Sequence, residues 1–320
     1  MAGKDIKSYF KISLLVLIFT ALSVFLPSPL SFIFEVFAAA YFAKSVVLYH
    51  YKYVTALGFL VLAVTAASGG IMSVLLNGVI LILLGISLGL GKKINIGYYK
   101  LLLICSFIYI SGTAASLFVL KSASVDVFSL ETFYGAMNTT LDMFKESGYY
   151  VNPEVIDAIS ATLKSIVLFM MQITPAMLII ISVFCAFILL QVFKRIMVKS
   201  GLGVKNFAPF DKMRAPKSCT IIFILLFLVV SASFGGNLAY DVCLNVMFVL
   251  GFLIVSTGLS YFDWKLKMRG TKKGARRILE LAIIPVSYMF MMLPIFVLLA
   301  FGMADSLFNL RKNFIKKDEK

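Results

Sequence analysis

The chain is 320 residues long, 61% of them hydrophobic and 14% charged, with 30 basic and 15 acidic side chains and a formal net charge of +15. So apolar a composition lies outside the range of soluble domains, and it reads as one integral membrane domain over residues 1–320. The basic excess does not point to nucleic acid, because it lies in short loops beside apolar runs and lacks the stacking aromatics of a soluble groove.

Apolar runs lie near 10–26, 29–49, 53–67, 70–90, 99–121, 163–193, 217–236, 238–262 and 278–304. A hydrocarbon core about 30 Å thick takes about 20 helical residues, so most of these runs suffice while 53–67 is short. The runs are continuous rather than alternating, which favours helices over a closed barrel. The expected fold is therefore an all-α transmembrane bundle of eight or nine spans.

The first run follows Lys4, Lys7 and Lys11 as a secretory signal would. The small residues of "FAAAYFA" fall inside the second run, however, so an uncleaved anchor is expected. The second run, "LPSPLSFIFEVFAAAYFAK" (26–44), places Glu35 in an otherwise lipid-compatible helix. A charge near mid-span costs about 2.5–3.5 kcal/mol on insertion scales, so Glu35 should face the bundle and either bind or relay, or else form an interhelical hydrogen bond. The other mid-span polar residues, Asn77, Gln172 and Asn245, are its candidate partners; Glu35, Asn77 and Gln172 form the candidate binding set. His50, the only histidine, falls at a helix end and reads as interfacial.

Gly85 and Gly89 make a small-xxx-small face, and Ser111, Gly112, Ala115 and Ser116 make another, so a tight pair is expected between the runs at 70–90 and 99–121. In the long connection 122–162, Leu130, Phe133, Tyr134, Met137, Leu141 and Phe144 recur at helical spacing, predicting an amphipathic helix from Ser129 to about Glu146 on the outer surface. "NPE" at Asn152–Glu154 is a helix start, with Asn152 as cap and Pro153 in the first turn. Pro175 should kink the helix that follows.

Alternate segments 1–11, 44–52, 91–100, 194–217 and 263–277 hold 22 basic residues, and the opposite loops hold only Lys121, Lys145 and Lys164. That asymmetry puts the amino terminus in the cytoplasm of a bacterial cell membrane. A single crossing by 278–304 would then strand the basic tail 305–320 outside, so either the tail breaks the rule or that run does not cross once. The segments "FKRIMVKSGLGVKN" and "KLKMRGTKKGARR" also suit anionic headgroups.

No chemistry-bearing motif stands out. "LGLGKKIN" (88–95) lacks the strand and the hydroxyl residue after lysine of a phosphate loop, and no nucleophile elbow, zinc helix or paired carboxylate occurs. Cys105, Cys185, Cys219 and Cys243 read as small hydrophobes without metal-ligand spacing. No enzyme activity, catalytic residue, metal or cofactor is expected.

The ending "FGMADSLFNLRKNF", with Gly302, Asp305 and Arg311, resembles that of the YybS-like predicted membrane proteins, a bacterial family of unknown function. "FAPFDKMRAPKS" and "LGFLIVSTGLSYFDWKLKMRG" are similar to it as well, so the last third carries the resemblance best. Ser306, Leu307 and Asn309 depart from the aromatic and acidic residues of the family's pattern. The resemblance implies a multi-pass protein whose glycine-rich first half is similar in style to the substrate-capturing subunits of energy-coupling-factor transporters. On that analogy a small molecule sits near Glu35 and Asn77, and a separate ATPase module meets the cytoplasmic loops. The competing class is an envelope scaffold that binds other membrane proteins and no ligand.

Overall fold

The fold was analysed on a computed structural model of the chain. The structure describes residues 3–27, 30–122, 134–135, 138–139, 142–143, 153–203, 210–232, 237–279, 282 and 293–312. Among these every regular element is helical. We number them α1 (Gly3–Phe25), α2 (Leu30–Leu48), α3 (Tyr51–Ser73), α4 (Ile80–Lys93), α5 (Tyr98–Ser122), α6 (Pro153–Lys199), α7 (Lys217–Ala232), α8 (Leu238–Met268) and α9 (Leu293–Phe308). A π-helical stretch, Val74–Val79, joins α3 to α4.

Five helices are long and apolar enough to cross a bilayer, over Ile6–Phe25, Leu30–Leu48, Tyr98–Val119, Ser160–Lys199 and Leu238–Met268. Three shorter apolar helices, Tyr51–Ala67, Lys217–Ala232 and Leu293–Phe308, accompany them. The expected amphipathic helix over 129–146 lies outside the described residues, except for the helical Tyr134, Gly135, Asn138, Thr139, Asp142 and Met143. The described chain divides into two compact units: unit 1 is Met1–Asn152 with Ile181–Phe207, and unit 2 is Pro153–Ile180 with Ala208–Lys320.

In unit 1 the chain folds back between α3 and α4. A Cβ on Gly78 would lie 2.7 Å from the Thr65 hydroxyl, and one on Gly58 would lie 3.8 Å from Ile82. A straight helix would hold residues 65 and 78 about 20 Å apart, so a reversal falls between them.

The glycine face of α4 does not meet the partner expected of it. A Cβ on Gly85 would reach 2.6 Å from the Phe42 ring, and one on Gly89 would reach 2.4 Å from Val46 and 2.9 Å from the Ala43 carbonyl. The tight seam is therefore α2 against α4, where Ala38, Ala39, Ala40 and Ala43 are fully buried. α4 and α5 meet at other small residues: Gly112 of α5 admits Ile80, and Gly91 of α4 admits Leu101.

The basic ends of unit 1 gather together. Tyr9 donates to the Tyr53 carbonyl at 2.8 Å, Tyr49 to Ser8 at 3.0 Å, and Lys92 to the Gly203 carbonyl. Left-handed residues close two of the helices there. Asn95 (φ 54°) lets the Ile96 amide reach the Gly91 carbonyl at 2.8 Å, and Gly201 (φ 73°) lets the Leu202 amide reach Met197 at 3.0 Å.

In unit 2 the break at Pro175 is closed from outside its own helix. Proline has no amide hydrogen and displaces the preceding turn, which frees backbone groups in α6. Asn245 of α8 fills the gap: its Oδ1 accepts from the Ala176 amide at 2.8 Å, and its Nδ2 donates to the Gln172 and Asp241 carbonyls at 2.8 Å each. Asn245 is thus engaged by the backbone, and the Gln172 carbonyl takes part rather than its side chain.

α8 and α9 cross with backbones in contact. A Cβ on Gly258 would fall 1.9 Å from the Leu298 carbonyl oxygen, and one on Gly302 would fall 2.0 Å from that of Ile254. The run 278–304 begins and ends at one end of unit 2: Arg276 pairs with Asp263, and Arg311, past α9, bonds the Asp211 and Met213 carbonyls beside Lys267. Residues 280–281 and 283–292 of that run lie outside the described residues.

Two predictions follow from these contacts. Gly258→Ala and Gly302→Ala should each destabilise the protein in detergent by about 3 kcal/mol, the upper end for overpacking, since rigid backbone meets the new methyl. Gly251→Ala, which meets only a Phe223 ring atom at 3.3 Å, should be nearly silent in the same thermal unfolding assay. Asn245→Leu should cost about 2 kcal/mol, because three hydrogen bonds worth about 0.6 kcal/mol each in a membrane are lost.

Candidate functional site

Two polar centres stand out, one in each unit. In unit 1, Glu35 of α2 is half-buried and makes no hydrogen bond or ion pair among the described residues. It lies within electrostatic reach of Tyr109 on α5 and Cys185 on α6. The Tyr109 hydroxyl is withdrawn from solvent and has no hydrogen-bond partner there, and Cys105, one turn earlier on α5, is fully buried.

Asn77 lies in the π-helical stretch and approaches only the Ser73 hydroxyl, at 3.5 Å, the limit of a hydrogen bond. No hydrogen bond joins Glu35 to Asn77 among the described residues. Gln172 belongs to unit 2, and its side chain makes no hydrogen bond there. Within unit 1, the group in electrostatic reach of Glu35 is Tyr109 rather than a hydrogen-bonded Asn77. Nothing in "SFIYISG" distinguishes that tyrosine from an interfacial one, so its role was not legible beforehand.

In unit 2 a knot of charged and hydroxyl groups joins residues 210–216 to α8 and the end of α9. Arg311 donates through Nε to Asp305 at 2.9 Å, and through Nη2 to the carbonyls of Met213 at 3.0 Å and Thr257 at 3.4 Å; Nη1 reaches the Asp211 carbonyl. Asn309 (φ 53°) ends α9 in the left-handed region and turns the chain so that Arg311 comes back to Asp305. Arg214 donates to the Ser306 carbonyl at 2.8 Å, and the Ser306 hydroxyl lies 3.1 Å from the Ala215 carbonyl. Ser260 lies 2.6 Å from the Phe210 carbonyl, and Thr257 accepts from the Ala215 amide at 2.9 Å. Lys267 pairs with Asp211 at 2.6 Å.

The physical reason for the knot is backbone. Residues 211–216 before α7 are not part of a regular helix beyond a single turn, Phe210–Lys212, so their carbonyls need outside donors. Buried carbonyls are seldom left without a donor, and here side chains of the protein supply the donors. Ser306, through its hydroxyl, and Asn309, in the left-handed region, are integral to the arrangement. One oxygen of the fully buried Asp305, Oδ1, has no partner. Among the described residues no three metal-ligating side chains converge.

Comparison with known proteins gives one curated relative, the uncharacterized protein YybS of Bacillus subtilis (strain 168), 28% identical over 91 residues. That stretch is 27% of this chain and 28% of the relative's own length. No solved structure matches. A family model described as predicted membrane protein (DUF2232) matches residues 14–306, which takes in Glu35, Tyr109, Gly302 and Asp305. With nine-tenths of its length so matched, the chain belongs to the DUF2232 family of predicted membrane proteins.

Proposed function

We propose that the protein is a non-enzymatic, small-molecule-binding subunit of a membrane transport system. Its amino terminus would be cytoplasmic, and a separate ATPase module would supply the energy. The observation that carries this reading is that Glu35 and the buried Tyr109 hydroxyl, within electrostatic reach of each other, both lack a hydrogen-bond partner among the described residues. A carboxylate and a buried hydroxyl without hydrogen-bond partners are costly in a membrane protein, and such groups mark substrate or proton paths by default. A ligand that donates to Glu35 and exchanges a hydrogen bond with Tyr109 would satisfy both.

The orientation is supported by the gathering of the ends of 1–11, 44–53, 91–100 and 194–203 on one face of unit 1, through Tyr9, Tyr49 and Lys92. Lysine-rich ends that share a face share a side of the membrane, and by the charge rule that side is the cytoplasm.

Native mass spectrometry of gently solubilised protein should show a retained small molecule. Glu35→Gln should lower its occupancy at least tenfold, and Tyr109→Phe should lower it less. Neither substitution should reduce thermal stability, because neither removes an intramolecular hydrogen bond. Loss of stability without a bound ligand in the parent protein, together with specific crosslinks to other membrane proteins, would favour the envelope scaffold instead. In intact cells, Lys199→Cys should react with a membrane-impermeant thiol reagent only after permeabilisation; labelling from outside would overturn the orientation.

A further inference from the structure

A cavity of about 430 Å³ opens in unit 1 between α2 and the last turns of α6. α2 lines it with Phe37, Tyr41 and Lys44, and α6 lines it with Val192, Arg195 and Lys199. These are single faces by spacing, four and three residues apart on α2 and three and four apart on α6. On both helices an apolar residue comes first and a cation last, and both helices end just beyond, at Leu48 and Lys199.

None of Lys44, Arg195 and Lys199 has an ion-pair partner among the described residues. A lysine near a helix carboxyl terminus complements the helix dipole, which accounts for one cation at a time. It does not account for three around one concavity with no counterion, where like charges raise the local potential and favour an anion. The site is distinct from Glu35, which lies two residues before Phe37 and so about 200° around the same helix.

We propose that this cavity binds the headgroup of an anionic phospholipid, its phosphate among Lys44, Arg195 and Lys199 and its first methylenes against Phe37, Tyr41 and Val192. The apolar wall decides between the two sources of a phosphate. Phe37 and Tyr41 pack on the Phe19 ring from one side; inorganic phosphate would use the cations and make no use of the apolar wall they form with Val192, whereas a lipid uses both. The volume is that of a small-ligand pocket, which starts at about 300 Å³. Helix ends are also where headgroups lie, and basic residues there attract anionic lipid.

The test is native mass spectrometry of the full chain in neutral detergent, titrated with phosphatidylglycerol, phosphatidylcholine or inorganic phosphate. Phosphatidylglycerol should be retained at one site in preference to phosphatidylcholine, and millimolar inorganic phosphate should not displace it. Each cation near the headgroup is worth about fivefold in binding, so K44Q/R195Q/K199Q should bind about 100-fold more weakly. K7Q/K11Q/K52Q, which removes the same charge from exposed positions outside the cavity, should bind as the parent does. K44R/K199R, which keeps the charge, should retain binding and guards against a misfolded triple variant. Equal retention of both lipids, equal losses in the two triple variants, or displacement by inorganic phosphate would each overturn the proposal.

Discussion

Close approach of backbone at small residues is the constraint on which both units depend. Two helices surrounded by lipid gain little from hiding apolar surface against each other, since acyl chains solvate leucine as well as a neighbouring helix does. What remains is van der Waals contact, which falls off within an ångström of the optimum. The crossing of α8 and α9 reaches that limit, with Gly258 against the Leu298 carbonyl and Gly302 against that of Ile254. In unit 1 the same role falls to Gly85 and Gly89, whose missing side chains receive Phe42 and Val46.

These seams also set helix rotation, and rotation sets which residues can act together. With Phe42, Ala43 and Val46 turned to α4, helical periodicity carries Phe37, Tyr41 and Lys44 to another face of α2, where the cavity opens. Likewise the α8–α9 crossing brings Asp305 and Ser306 beside Thr257 and the irregular residues before α7. The glycines touch no ligand themselves.

Much of the architecture was legible in the sequence, and the limits are physical. Apolar runs located α1, α2, α5, α6 and α8, because run length reports on bilayer thickness whatever the neighbours are. The break at Pro175 was an equally local signal. Which helix a small face meets is not local: Gly85 and Gly89 announce a close contact but not its partner, and the alanines at 38–40 and 43 that receive them resembled a cleavage site. The choice of polar partner for Glu35 was open for the same reason. Asn77, Gln172 and Asn245 share only a depth in the membrane with Glu35, and depth does not specify azimuth. Tyr109 carried no signal, and the use of Asn245 follows from a proline in a different helix.

The contrast between the two polar centres bears on function more than either does alone. In unit 2, Arg311, Arg214, Thr257, Ser260 and Asn245 all bond backbone atoms that a break in regular helix would otherwise leave unsatisfied. Groups so engaged hold the fold, and a ligand could recruit them only by releasing main-chain carbonyls into an apolar medium, at several kcal/mol each. In unit 1, Glu35, the Tyr109 hydroxyl and the cations at 44, 195 and 199 have no intramolecular partner among the described residues, whereas in unit 2 the carboxylate of Asp305, though one oxygen is unpartnered, is held by Arg311 through the other. Polar groups that the fold does not use, in a solvent that penalises leaving them unused, are where an external molecule gains most by binding, which is the physical ground of the proposed ligand at Glu35 and Tyr109.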